Sequence, residues 1–492
     1  MLIDFTDPSD TSLVILTLLL LVDFAVRVTA IIIIPRNRRP TAAMAWLLAV
    51  FFIPYLGIAL FLLIGNPKLP RKRMAKQRRM DAFIRANSDV PGGRPHNEDW
   101  PEWFASVAQL NRNLTSMPMV DGNTATLLEH YDDTIRAMAA EIDKAEKFVH
   151  VEFYILSCDQ TTTVFFDALE AAVARGVTVR VLMDHWASWR TRDYKHTVKR
   201  LTAMGAEWHL MLPVQPLKGK FQRPDLRNHR KILVVDGHVG FMGSLNVIDR
   251  SYNKRSNIKR GLKWQELVTR VEGPVVDALN LIFITDWYIE SEELLEKEVR
   301  ILESIDDPSL LECQVVPSGP GFEGENNLRL FLALLYGAQH RIVITSPYFV
   351  PDESMLYAIT TAVDRGLRVD LFVSEIGDQA LVWHAQRSYY EALLRAGVRI
   401  YMYKSPYILH SKHFTIDDDV AVIGSSNMDM RSFGLNMEVS MLVRGESFVR
   451  DMRAVEDHYR SVSKELTLDE WMKQPLRSTV LDGLARLTSA LQ

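Results

Sequence analysis

A histidine followed two residues later by a lysine occurs twice in this 492-residue chain, as His229–Lys231 and as His410–Lys412. Each pair heads the same series. An aspartate lies seven residues beyond the histidine (Asp236, Asp417), a serine fifteen beyond (Ser244, Ser425) and an asparagine seventeen beyond (Asn246, Asn427). No other histidine of the 13 has a lysine at that spacing. Both motifs open runs of strand character, and on a strand residues two apart project from one face. A neutral imidazole placed there can attack phosphorus. The adjacent ammonium can bind a non-bridging oxygen and offset the charge that grows in the transition state. Ser and Asn, two apart on the returning strand, can donate to the same oxygens. Asp236 and Asp417 are counted with the catalytic residues, although each stands at a turn, where turn geometry and support are an equal reading.

A carboxylate must also hold each imidazole in its tautomer and stabilise its positive form. Glu438, eleven residues after Asn427, is expected to serve His410 through a compact hairpin. Glu266, twenty residues after Asn246, is expected to serve His229. The nine additional residues fall in a segment carrying Arg250, Lys254, Arg255, Lys259, Arg260 and Lys263. Such a charge run is a solvated loop or, beside a membrane, a contact for anionic lipid.

The elements that must position these residues repeat as well. Residues 149–156 form a β-rich apolar run that leads through a helical stretch to 172–182 (AVARGVTVRVL). Residues 342–348 lead in the same way to 362–372 (AVDRGLRVDLF). Each is strand, helix, glycine C-cap, strand, which predicts parallel or mixed sheets in two homologous α/β lobes. The period, near 190 residues, is too long for a solenoid.

The N-terminal end is of another kind. Residues 12–34 and 42–64 are apolar runs long enough to cross about 30 Å of hydrocarbon, the second interrupted by Pro54 and Gly57. The first twelve residues carry Asp4, Asp7 and Asp10 and no cation, which excludes the positive start of a cleaved signal peptide. Asp23 and Arg27, four apart, form either a functional intramembrane pair or a neutralised one facing a neighbouring helix. The cations from Lys68 to Arg79 place the large C-terminal part in the cytoplasm. Arg36, Arg38 and Arg39 lie between the runs. The protein is therefore expected in the inner (cytoplasmic) membrane, multi-pass or with one span plus a re-entrant segment.

The organisation expected is membrane segments at 1–66, a basic linker and amphipathic helix at 67–115, one lobe at 116–300 and a second at 301–492. A net charge of −4 supplies no field for nucleic acid, and two cysteines supply no disulfide framework. No ligand cluster calls for a metal or other cofactor.

The doubled H-x-K-x4-D, each followed by G-S-x-N, resembles the phospholipase D superfamily. Residues 228–237 (NHRKILVVDG), 346–353 (SPYFVPDE), 424–432 (GSSNMDMRS) and the link 35–40 (PRNRRP) resemble its bacterial cardiolipin synthase branch. The resemblance implies two phospholipase D-like α/β/α lobes with mixed sheets, related by pseudo-two-fold symmetry and preceded by two hydrophobic membrane helices. It implies a single site between the lobes, without metal, in which His229 becomes a phosphohistidine and His410 serves as acid, then base. The substrates implied are phosphatidylglycerol and other anionic phospholipids in a bilayer, and a homo-oligomer is left open. The alternative is a phospholipase D that uses water or a small alcohol. A nuclease suits neither the charge nor the anchor, and a scaffold with a dead site suits neither intact motif. The chain departs from the common W-x-D-x-H pattern at 264–268 (WQELV) and has Gly243-Ser244 where many relatives have Gly-Gly.

Overall fold

The computed structural model describes residues 8–36, 38, 40–65, 68–88, 100–218, 220–295, 298, 310–322 and 324–487. Asp4, Asp7, the side chain of Asp10, Arg39 and the expected lobe boundary at 300 lie outside the described residues. The chain divides into two compact units between Lys68 and Leu69.

In the first unit the helix Pro8–Ile33 contains a 22-residue apolar stretch, Ser12–Ile33, long enough to cross a membrane. Asp23 and Arg27 pair along it at 2.7 Å. The second apolar run is not a single helix, which corrects the expectation of two membrane helices. It breaks into Pro40–Phe52 and Pro54–Ile64, because Pro54 lacks an N–H and its ring displaces the preceding carbonyl. At 13 and 11 residues neither piece reaches across about 30 Å. They fold back on each other. A Cβ on Gly57 would lie 2.6 Å from the Ala49 carbonyl oxygen, so glycine is what lets the two backbones meet. Trp46 packs edge-on against Phe61, and Arg38 lies over the Phe61 ring while donating to the Gly65 carbonyl. The hairpin thus returns to the level at which it began.

The second unit is built on one continuous sheet. In the first lobe its strands are β1 (Val120–Leu128), β2 (Phe148–Phe153), β3 (Thr178–Asp184), β4 (Glu207–Met211), β5 (Lys231–Val235), β6 (Val239–Gly243) and β7 (Val268–Glu272). In the second they are β8 (Leu311–Ser318), β9 (Arg341–Thr345), β10 (Arg368–Ser374), β11 (Arg399–Tyr403), β12 (His413–Ile416), β13 (Val420–Gly424), β14 (Asn436–Arg444) and β15 (Ser463–Leu466). The order is β15-β11-β10-β9-β12-β13-β14-β8-β1-β7-β6-β5-β2-β3-β4. It reads almost the same from either end. The antiparallel pair β1–β8 lies at the centre, and each lobe continues outward as three antiparallel strands and then three parallel ones, the second lobe adding β15 antiparallel at its edge.

Helices cover both faces, so β2, β3, β9 and β10 are buried along nearly all their length, and polar residues among them such as His150, Glu152, Arg180 and Asp370 are buried too. The repeated glycines end the crossover helices as expected. Gly176 and Gly366 have φ of 89° and 90°, and the next amide bonds back to Ala172 or Ala362. Residues 71–88 correct another expectation. They form the helix Arg71–Ser88, not a polar linker, and bury Met80 and Ile84. Arg73 pairs with Glu290 and Lys76 donates to the Ile289 carbonyl, both on the helix Val275–Ser291. The amphipathic helix is Glu102–Thr115, with Phe104, Val107 and Ala108 against the second lobe's core.

Candidate active site

Alternation along the first motif sends His229 and Lys231 to one side and Arg230 to the other. Arg230 is pinned there by the buried Asp286 and by the Glu438 carbonyl. Short strands then cross between the lobes. Arg227–Asn228 runs parallel to the start of β14, with Asn228 opposite Met437. Lys263–Gln265 runs parallel to Tyr407–Leu409, with Gln265 opposite Leu409. The backbone amide of His229 donates to the Met437 carbonyl at 2.8 Å, and that of His410 to the Gln265 carbonyl at 2.7 Å.

These registers set the carboxylates. Glu438, next after Met437, accepts from His229 Nδ1 at 3.0 Å on both oxygens. Glu266, next after Gln265, accepts from His410 Nδ1 at 2.9 Å on both. Each imidazole is therefore held by the other lobe, the reverse of the pairing expected from spacing. Proximity along the chain favoured an in-lobe hairpin, whereas the interlobe strands bring the opposite glutamate alongside. With it falls the idea that the basic segment separates Glu266 from its histidine.

An ionised carboxylate can only accept, so each ring carries its proton on Nδ1 and presents a lone pair at Nε2. Burial pushes both imidazoles down to about 4, against the pull of their glutamates, and the lysines of both motifs push the same way. Burial also lowers Lys231 to about 7, with Lys412 adding like charge, and lowers Lys412 to about 8; Glu266 and Glu438 oppose both shifts. Burial alone would raise the glutamates, but the facing imidazole and lysine hold both below the usual value. His229 and Lys412, like His410 and Lys231, sense each other's charge across the interface, so the two motifs form one cluster. Each lysine donates to the carbonyl of its own motif histidine.

Of the two roles open to the motif serines and asparagines, binding phosphate or supporting the site, the serines' contacts are of the supporting kind. Ser425 donates to Glu438 and accepts the Val439 amide, while Ser244 accepts the Leu267 amide and lies within reach of Glu266. The serines thus hold the carboxylates. Asn246 donates to the Tyr252 hydroxyl at 2.8 Å and accepts from the Ile155 amide; Asn427 is buried with its Oδ1 unbonded.

Asp236 and Asp417 do not belong to the catalytic cluster. They sit at the far ends of β5 and β12, five residues beyond Lys231 and Lys412 and so about 16 Å from them at a rise of about 3.3 Å per residue. The Asp236 carboxylate accepts the amides of Glu146, Lys147 and Phe148, and that of Asp417 accepts those of Gln339, His340 and Arg341. Each caps the entry to its lobe's first parallel strand, and each has positive φ, 53° and 48°, the turn geometry their short side chains stabilise.

Three tyrosines escaped the motif search. Tyr154 packs edge-on to His229 at 4.8 Å and lies under the Lys231 ammonium; Tyr252 and Tyr348 flank His410 at 6.4 and 6.3 Å. Burial and the nearby Asp184 push the Tyr154 hydroxyl up to about 12, with Arg431, Arg227 and Arg190 opposing, and the Tyr348 hydroxyl bonds to Asp378 at 2.9 Å. The signal available was that Tyr154 and Tyr348 fall in the repeated apolar runs 149–156 and 342–348, Tyr348 also in the stretch 346–353; Tyr252 had none.

Residues 138–273 and 331–459 match the family described as cardiolipin synthase, PLD-like domain, and residues 25–66 match a phospholipase D–nuclease N-terminal family. The chain belongs to the PLD-like cardiolipin synthase family. It is 31% identical to cardiolipin synthase A of Proteus mirabilis (strain HI4320), over 92% of this chain and 94% of that one. It is 30% identical to cardiolipin synthase A of Wigglesworthia glossinidia brevipalpis, over 98% of both. The fold is shared with the crystal structure of phosphatidylserine synthase from Haemophilus influenzae Rd KW20, with a TM-score of 0.61 and 15% identity over 78% of this chain and 99% of that one. Membership in this family and the apolar helix Ser12–Ile33 associate the protein with a membrane.

Proposed function

We propose that the chain is a cardiolipin synthase that joins two phosphatidylglycerols through a phosphohistidine. The observation that carries this reading is the paired imidazoles, each with Nδ1 tied to a carboxylate of the other lobe and each feeling the charge of both buried lysines. The bound phosphodiester anion favours a proton on His410 Nε2; His229 Nε2 attacks phosphorus, the bond from phosphorus to the glycerol oxygen breaks, and His410 gives that oxygen this proton. The glycerol hydroxyl of a second phosphatidylglycerol then attacks. His410 takes its proton, the P–N bond breaks and His229 is restored. Lys231 and Lys412 hold the non-bridging oxygens throughout.

This division of roles rests on the family resemblance, because the two imidazoles have matching surroundings: burial and both lysines lower each to about 4, and each side holds an aspartate, Asp184 near Lys231 and Asp378 near Lys412. The return of the 40–64 hairpin supports one span plus a re-entrant segment, with Arg36, Arg38 and the later cations on the cytoplasmic side of the inner membrane.

The test is mass spectrometry of products from purified protein in vesicles of phosphatidylglycerol alone. Cardiolipin and glycerol in equal amounts are expected; phosphatidic acid in place of cardiolipin would make the enzyme a hydrolase.

A further inference from the structure

The helix Leu476–Arg486 is amphipathic in the opposite sense to an ordinary surface helix. Its buried side carries Asp482, 3% exposed, with Ala485 and Ser478. Asp482 accepts from His384 Nδ1 at 2.6 Å and pairs with Arg387, which also donates to Ser478 and Gln474. Its apolar residues point outward instead: Leu476 is 78% exposed, Val480 52%, Leu481 51%, Leu484 57% and Leu487 78%. At 100° per residue these five fall within one face of about 140°. A helix surrounded by water buries its leucines and exposes its aspartate. Here a network of ionic bonds does the docking, and the apolar stripe has nothing of this chain against it among the described residues.

We propose that this stripe lies in the surface of a lipid bilayer and seats the second lobe's site on the membrane. Three observations select a bilayer over another occupant. The chain carries its own spanning helix, so a bilayer is always within reach. Exposed Lys473 precedes the helix and exposed Arg477 stands within the stripe at its first turn, where a long side chain lays its stem along acyl chains and carries its head up to anionic phosphates. The helix is also coupled to the site. It docks on Ala380–Arg387, where Leu381 extends the apolar surface at 52% exposed. The residue just before that helix, Gln379, donates to the hydroxyl of Tyr348 beside His410. A lipid leaving the bilayer at this rim would need little travel through water.

The test uses the full chain in nanodiscs of phosphatidylglycerol and phosphatidylcholine, with single fluorophores on Val480→Cys, Leu484→Cys and, on another face of the same helix, Thr479→Cys. The native Cys158 and Cys313 are buried. Nitroxides on lipid acyl chains should quench the labels at 480 and 484 strongly and the label at 479 weakly, with aqueous iodide showing the reverse. Iodide access at all three positions without nitroxide quenching would overturn the proposal. So would shielding from both quenchers at 480 and 484, which would mean that a second copy covers the stripe. In a second arm, Leu481→Ser with Leu484→Ser should lower activity on bilayers by roughly tenfold and spare activity on short-chain soluble lipid. Equal losses on both would indicate damage to the lobe. The depth readout needs no turnover, so it stands or falls apart from the proposed reaction.

Discussion

Glu438 belongs to the second lobe, yet both of its carboxylate oxygens lie 3.0 Å from Nδ1 of His229 in the first. Glu266 makes the reciprocal contact with His410. Neither lobe therefore holds a complete half-site: the ring comes from one and the group that sets its tautomer from the other. Docking of the lobes is thereby part of the chemistry, since a splayed interface would leave two buried histidines without a fixed tautomer.

The crossed pairing can be read in trapping experiments with a lipid carrying a very good leaving group, which lessens the need for an acid. His410→Ala and Glu266→Gln should both still become phosphorylated, whereas His229→Ala should not. Glu438→Gln should follow His229, with labelling slowed by about 10²–10⁴-fold. Slow labelling in Glu266→Gln with fast labelling in Glu438→Gln would reverse the assignment.

Asp236 and Asp417 should behave as structural residues. Asp236→Asn or Asp417→Asn weakens a three-amide cap and should cost about 2 kcal/mol of stability, read as a lowered melting temperature. Turnover of the folded fraction at low temperature should stay within a few-fold of the parent. A loss of several orders of magnitude at unchanged melting temperature would return these residues to the chemistry.

Binding of a phosphodiester should draw protons into the site. The free enzyme holds Lys231 at about 7 and Lys412 at about 8, so near pH 7.5 part of each is neutral. An anion beside them favours the charged forms and raises both values, as it does for the histidines near 4. Calorimetric titration of a non-reactive phosphodiester in buffers of different ionisation enthalpy should show net uptake that is larger at pH 7.5 than at pH 6. Proton release, or no buffer dependence, would contradict these charge states.

The loop before the first motif is predicted to touch the bilayer as well, on the first lobe. Leu217 is wholly exposed and Phe221 is 43% exposed. Replacing both by Ser should reduce activity on bilayers about tenfold and leave activity on a soluble short-chain lipid nearly intact. A parallel loss on both substrates would count against contact.

Much of this was legible in the residues. The two histidine–lysine pairs, the repeat that predicts two lobes, and the glycine caps at 176 and 366 depend on periodicities of a few residues, which the chain expresses locally. Three features did not follow from such patterns. Glu266 and Glu438 exchange partners because parallel strands form between segments more than 140 residues apart, and spacing along the chain says nothing of such registers. Asp236 and Asp417 recur at a fixed distance from the histidines because both ends of one strand are under constraint, although only one end does chemistry. The helix at 476–486 has the apolar periodicity of any surface helix. Only its docking through Asp482, decided by where His384 and Arg387 stand, shows that its leucines face outward.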